Sequence, residues 1–161
     1  MENTSAPSGF FTRGYRLWIA LASRFQSPLL LAIRLYWGWQ FFGVGLGKLR
    51  NLEKTAEYFG QLHIPFPHFN ACLAGATECA GGLFLLAGLG SRLVVLPLIF
   101  TLTIAYLTAE IETVKHIFSD PDKFVTATPF LFLLACVIIL VFGPGVFSLD
   151  WLLAKRQSRK S

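Results

Sequence analysis

Three charged residues stand inside apolar stretches of this sequence, where charged side chains are rare. Arg34 and Lys48 belong to one such stretch and Glu78 to another. A charge placed within hydrocarbon is costly, so it usually pairs with another charge, holds a polar group or carries a proton. These three residues therefore supply one acid and one or two bases, which could bind the polar head of an apolar ligand.

The spacing around these charges predicts a groove for such a ligand. Arg34, Gly38 and Lys48 fall on one face of a helix, while Glu78 and Gly82 share a face of another. Glycines let a neighbouring helix or a flat ring approach closely. Arg34 is the natural partner of Glu78, with Gln40 as a neutral alternative. The alternative interpretation is plain helix packing, with the cations extended toward the membrane interfaces. The predicted ligand-binding residues are Arg34, Gly38, Gln40, Lys48, Glu78 and Gly82.

The elements that must position these residues are transmembrane helices. Of the 161 residues, 54% are hydrophobic and 14% are charged, and the mean hydropathy is +0.57. A soluble chain usually carries about a quarter charged residues. Continuous apolar runs near the length of about 20 residues that a span needs cover residues 29–47, 69–89, 93–109 and 124–142. The sequence therefore predicts an all-α, polytopic membrane protein with a bundle of four transmembrane helices.

The flanking segments complete the predicted organisation. Residues 1–28 are predicted to form a cytoplasmic segment with an interfacial helix, residues 29–150 the membrane domain, and residues 151–161 a basic cytoplasmic tail. Leu49, Leu52, Ala56 and Phe59 recur at helical spacing, which indicates a short amphipathic helix on the outer surface after the first span. Lys and Arg are more numerous on the side of the two termini, which favours a cytoplasmic location for both. We therefore attribute the net charge of +5 to basic residues beside the membrane, and no nucleic-acid partner is predicted.

Other kinds of chemistry find little support in the sequence. No nucleophile with its base, phosphate-binding loop or redox dithiol is evident, so no catalytic residue is predicted. One loop contains possible metal ligands, namely His116, Asp120 and Asp122. The favoured interpretation is a solvated loop with a turn at Asp120, so no metal site is predicted. The three cysteines lack metal-ligand spacing and are interpreted as buried apolar thiols.

Several segments together resemble the DoxX/DoxD family of small bacterial membrane proteins. They are RLYWGWQFFGVGLGKL, TAEYFGQLHIPFP, ATECAGGLFLLAGLGSR and FGPGVFSLD, in this order over roughly residues 30–152. The resemblance implies a four-helix bundle in a bacterial inner membrane. Some family members are subunits of a thiosulfate:quinone oxidoreductase or of complexes that handle oxidative stress and thiol balance. The family's recurrent polar positions correspond here to Arg34, Lys48, Glu78 and Asp150.

The function expected from this resemblance is that of a membrane subunit of a redox complex. Its pocket would take a quinone or another apolar ligand, and a soluble oxidoreductase would be its partner. Two alternatives stay open at this point. One is binding or transport of a lipid or small solute, with Glu78 as a protonation switch, and the other is a structural membrane partner without activity of its own. The glycine faces also leave a homodimer open.

Overall fold

The computed structural model describes the backbone of residues 10–158 and the side chains of residues 14–158. Every regular element in this part of the chain is a helix, which confirms the all-α prediction. The helices are α1 (Phe10–Arg50), α2 (Leu52–Gln61), α3 (Pro67–Ala87), α4 (Ser91–Thr108), α5 (Ile111–Lys115), α6 (Pro121–Thr126), α7 (Thr128–Phe142) and α8 (Leu149–Gln157).

Three of these helices, α1, α3 and α4, are long and apolar enough to cross a membrane. Large apolar side chains on them are exposed, as expected for helices that face lipid. The fourth predicted span corresponds to α7, which has only 15 residues. At 1.5 Å per residue it measures about 22 Å, less than the roughly 30 Å of hydrocarbon in a typical bilayer. The fourth crossing therefore stays a prediction.

The first helix differs from the sequence prediction in one respect. A separate interfacial helix was expected to end before residue 29, but α1 runs through Pro28 without a break for 41 residues. A proline removes one backbone donor, yet its fixed φ is compatible with a helix that continues on either side. The side chains of residues 14–26 are all exposed. Arg13, Arg159 and Lys160, which contribute to the predicted basic flanks, lie outside the described side chains.

A tight turn joins α3 to α4 as an antiparallel hairpin. Gly88 and Gly90 both take left-handed backbone conformations, with φ of 67° and 58°. This conformation carries little cost only for glycine. The amides of Gly88 and Leu89 then donate to the carbonyls of Leu85 and Phe84, both at 3.1 Å, which satisfies the end of α3.

The bundle has two distinct ends. The end formed by the α3–α4 turn (residues 88–90) and residues 143–150 is called the tail side here. The opposite end, formed by α2, α5 and α6, is called the α2 side. The core lies between them, where α1 and α3 pack against α4 and α7 through Phe41, Leu85, Val95, Leu98, Leu102, Cys136 and Ile139. The predicted amphipathic helix is confirmed as α2, with Ala56 buried on its inner face, although Leu49 belongs to the end of α1.

Candidate functional site

Glycines bring α1 and α3 into close contact along most of their length. A Cβ atom added to Gly82 would come within 2.5 Å of the Phe42 amide nitrogen and 2.6 Å of the Gly38 carbonyl oxygen. Gly45 and Gly75 form a second approach of this kind nearer the α2 side. Because backbone meets backbone here, there is no room for a ring between the helices. The predicted groove at Gly38 and Gly82 is therefore closed by helix packing.

The predicted pair between Arg34 and Glu78 is not formed. The Arg34 guanidinium donates from Nη1 to the carbonyl of Pro144 and from Nη2 to that of Phe147, both at 2.7 Å. The physical reason is the register of the two helices. With Gly38 opposite Gly82, Arg34 lies level with the end of α3, roughly 10–15 Å along the axis from Glu78. Arg34 is only 2% exposed and belongs to the tail side.

Glu78 pairs instead with Lys48, the other cation of the predicted set. Lys48 Nζ lies 2.6 Å from Glu78 Oε1, with the Glu78 side chain 5% exposed and the Lys48 side chain 26% exposed. Such a short contact is typical of a charge-assisted hydrogen bond. The second carboxylate oxygen, Oε2, is buried and has no hydrogen-bond partner in the described part of the chain. Gln40 is half-buried and makes no hydrogen bond to Glu78 there.

A cavity of about 750 Å³ lies beside this ion pair on the α2 side. Lys48 and Glu78 line it, whereas Arg34, Gly38, Gln40 and Gly82 do not. The wall comes from the end of α1, α2, the first half of α3, and α4. Its apolar members include Phe59, Leu62, Ile64, Leu73, Pro97, Phe100, Leu102 and Ile104, and its polar members include Lys54, Thr55, Tyr58, Asn70, Thr77, Thr101, Thr108, Glu110 and Thr128.

Many residues of this wall were not predicted from the sequence. The predicted site drew only on the first two spans, but α4 contributes Phe100 and Thr101 and α2 contributes Tyr58 and Phe59. Thr101, a hydroxyl residue within an apolar helix, was the available signal. The hydroxyl of Thr101 donates to the Pro97 carbonyl at 3.0 Å, so the side chain stays satisfied without a ligand.

The tail side holds a second polar cluster, centred on Asp150. Its carboxylate accepts from the amides of Gly90 and Ser91 at 2.7 and 3.1 Å. The Asp150 amide in turn donates to the Gly88 carbonyl at 3.0 Å. Asp150 thereby supplies from α8 the N-terminal cap that Gly90 cannot give to α4. Together with Arg34, these contacts bind residues 143–150 to the α3–α4 turn.

The loop that carries His116 and Asp120 has a different character. Lys123 Nζ lies 2.9 Å from Asp120 Oδ2 in an exposed pair, and this contact lowers the pKa of Asp120 and raises that of Lys123. Among the residues that the structure describes, no three His, Cys, Asp or Glu side chains lie close enough to hold a metal ion. Within the same range Cys72 is exposed, Cys79 half-buried and Cys136 buried, and all are free thiols.

Comparison with known proteins places the chain in a family. The DoxX family pattern matches residues 29–111, which include α2, α3, α4 and the whole Lys48–Glu78 pair. A Bacillus subtilis protein named "Putative oxidoreductase CatD" is 30% identical over 120 residues, which cover 74% of this chain and 83% of that protein. The chain belongs to the DoxX family.

Other relatives of this DoxX protein extend over more of its length. An uncharacterized membrane protein of Mycobacterium tuberculosis is 27% identical over 153 residues, 88% of this chain and 91% of the relative. An uncharacterized protein of Haemophilus influenzae is 25% identical over 136 residues, 82% of this chain and 87% of the relative. No solved structure matches the DoxX chain significantly.

Proposed function

We propose that this DoxX protein is the membrane subunit of a redox complex and that its cavity on the α2 side binds a quinone. The single observation that carries the proposal is Glu78 at the wall of a large, mostly apolar cavity, with one carboxylate oxygen paired to Lys48 and the other unpaired among the residues that the structure describes. A buried polar atom without a partner is costly unless a ligand or another group satisfies it. The name of the Bacillus subtilis relative supports the redox assignment.

The dimensions and chemistry of the cavity suit a ligand with a ring-sized polar head and an apolar tail. Ligand sites of small molecules commonly enclose about 300–1,000 Å³, with mostly apolar walls and a few polar groups that fix orientation. Lys48 would donate to a ring oxygen, and the aromatic and aliphatic side chains of α2 and α4 would contact the ring and tail. The ligand therefore lies between α2, α3 and α4, not between the first two spans.

The wider arrangement is part of the same proposal. We place the protein in the bacterial inner membrane with both termini in the cytoplasm, so the cavity opens toward the outer side and α7 completes four crossings. The basic ends of the chain then face the cytoplasm, as Lys and Arg near spans usually do. A soluble oxidoreductase would be the partner on the cytoplasmic side. A second copy of the chain would be a further partner.

The test is titration of the purified protein in nanodiscs with a short-tailed benzoquinone, followed by calorimetry. Saturable binding is expected for the wild type, with affinity at least about tenfold weaker in Lys48→Met, because the hydrogen bond from Lys48 to the ring oxygen is lost. Lys123→Met, the same change at an exposed position of α6, should bind as the wild type does. Absence of saturable binding in the wild type contradicts the quinone assignment.

Binding of a lipid or small solute is the second candidate, because the same cavity would also accept an acyl chain. The discriminating experiment repeats the titration in discs of phosphatidylglycerol instead of phosphatidylcholine. A quinone site should bind the quinone equally in both. Loss of quinone binding in phosphatidylglycerol, with that lipid retained on purification, would favour a lipid site.

A further inference from the structure

We infer that this cavity recognises a hydroxyl donor on its ligand, and so binds the reduced, hydroquinone form of a quinone more tightly than the oxidised form. The inference rests on the proposed function, because it concerns the ligand of the same cavity. It follows from the hydrogen-bonding capacity that Lys48 and Glu78 leave unused.

The first step concerns Glu78, whose free oxygen can only accept. Oε1 receives the hydrogen bond from Lys48 Nζ at 2.6 Å, and an ionised carboxylate has no hydrogen to donate. Oε2 has no partner in the described part of the chain. A ligand that satisfies this oxygen must bring an O–H or N–H group. The oxidised form of a quinone presents carbonyl lone pairs and would leave the carboxylate oxygen unpaired.

The second step concerns access to that oxygen. Oε2 is itself inaccessible, although Glu78 lines the cavity. The terminal torsion of glutamate is broad, so a partial rotation of the carboxylate is accessible. Such a rotation would turn Oε2 toward the cavity while Lys48, whose side chain is 26% exposed, follows Oε1. The adjustment needed is therefore that of one side chain.

The third step concerns Lys48, which does not discriminate between the two forms. Its ammonium group has three donors, and Glu78 uses one of them. Both a quinone carbonyl and a hydroquinone hydroxyl can accept from the remaining donors. Selectivity thus comes from Glu78 alone, and the reduced form makes one hydrogen bond more than the oxidised form.

This preference has a redox consequence for the bound ligand. Leaving a buried acceptor unpaired typically weakens binding by roughly 5- to 100-fold, and we expect about tenfold here. Tighter binding of the reduced form raises the midpoint potential of the bound couple by about 30 mV for each tenfold ratio of the two dissociation constants, since two electrons are transferred. The bound quinone would then accept electrons from a partner more readily than the free quinone does.

The experiment titrates the full-length wild-type protein in nanodiscs with three probes that share one ring and tail. They are the benzoquinone, its hydroquinone kept under anaerobic conditions, and the di-O-methyl ether of the hydroquinone, which lacks both donors. We expect the hydroquinone to bind about tenfold more tightly than the other two. Equal binding of hydroquinone and quinone, or equal binding of hydroquinone and ether, overturns the inference. Failure of all three to bind contradicts the proposed function instead.

A substitution adds an independent readout. Glu78→Gln keeps an oxygen for Lys48 and replaces the free acceptor with an N–H donor. The ratio of the two dissociation constants should then fall to about one or reverse, while Glu57→Gln on the exposed face of α2 leaves it unchanged. An unaltered tenfold preference in Glu78→Gln overturns the assignment to this residue. If the variant does not fold, the three probes on the wild type decide alone.

Discussion

The two ends of the bundle hold the cations of α1 in opposite ways. On the tail side, Arg34 is 2% exposed and its two terminal nitrogens donate to the carbonyls of Pro144 and Phe147. On the α2 side, Lys48 keeps a quarter of its side chain exposed, and its partner Glu78 has one oxygen unpaired beside a cavity. Burial alone therefore does not mark a binding site. A buried polar group marks a candidate binding site when it has unused hydrogen-bonding capacity next to a cavity.

Among the described residues, the tail side also has two unpaired buried atoms, Nε of Arg34 and Oγ of Ser91, but neither residue lines the smaller cavity of about 370 Å³ at this end. A Cβ atom on Gly88 would lie 2.7 Å from Arg34 Cζ, so the guanidinium packs directly against the α3–α4 turn. Asp150 and Ser148, which line that cavity, have hydrogen-bond partners within the chain. This end is accordingly a structural clamp, and the other end is the candidate site.

Removing the cation of the clamp should have the largest effect on stability. Arg34→Met deprives two carbonyls of charged donors and leaves a partly filled space, so we expect the free energy of unfolding to fall by about 3 kcal/mol. Thermal unfolding in detergent, followed by size-exclusion chromatography, measures the loss. Arg92→Met is the matched control, because Arg92 is exposed and makes a single 3.2 Å bond to the Val141 carbonyl. If the two variants were equally stable, the role of Arg34 as the cation of the clamp would be contradicted.

Removing the cation of the candidate site should cost less. Lys48→Met leaves Glu78 without its counter-charge, but the pair is partly exposed through Lys48, so we expect a loss of about 2 kcal/mol rather than the 3–5 kcal/mol of a fully enclosed pair. Adding Glu78→Met should recover most of the stability, since apolar replacement of an ion pair is often neutral. Quinone binding should be absent from the double variant. A double variant as unstable as the single one would show that Lys48 stabilises through contacts other than Glu78.

The sequence predicted the membrane helices better than the partners of the charges. The α3–α4 hairpin and α2 follow from local signals, namely Gly88 and Gly90 at the turn and the spacing of Leu52, Ala56 and Phe59. The choice between Arg34 and Lys48 as the partner of Glu78 depends on the register of two helices. Register is set by which glycines meet, and no local pattern specifies that Gly38 faces Gly82.

The cavity shows the same dependence on tertiary structure. Lys48 and Glu78 were identified as site residues because a charge within an apolar span is conspicuous. Phe100 and Thr101 are ordinary residues of an apolar helix, and only the packing of α4 against α3 makes them part of the wall. Continuity through Pro28 was likewise hidden, because a proline is a helix-breaking signal whose effect depends on its neighbours.

Loss of the cap on the tail side should have an intermediate effect. Asp150→Ala removes the acceptor for the Gly90 and Ser91 amides, and we expect about 1 kcal/mol of destabilisation, the usual cost of losing an N-terminal cap. Quinone affinity should stay at the wild-type value, because the cavity lies at the other end of the bundle. Asp122→Ala, in an exposed position of α6, serves as the control for thermal unfolding. Weakened quinone binding in Asp150→Ala would mean that the two ends are coupled.

The smallest change in stability should come from a substitution that gives the candidate site a guanidinium group, which is the cation that the clamp has in Arg34. Lys48→Arg keeps the positive charge, but a guanidinium can donate to both oxygens of a carboxylate at once. We expect the free energy of unfolding to change by no more than about 0.5 kcal/mol, while hydroquinone affinity falls about tenfold because Oε2 of Glu78 is no longer free. Lys123→Arg, in the exposed pair with Asp120, makes the same exchange away from the cavity and should alter neither quantity. Retained affinity in Lys48→Arg would show that the free oxygen is not what holds the ligand, whereas lost affinity at unchanged stability separates binding from folding at this pair.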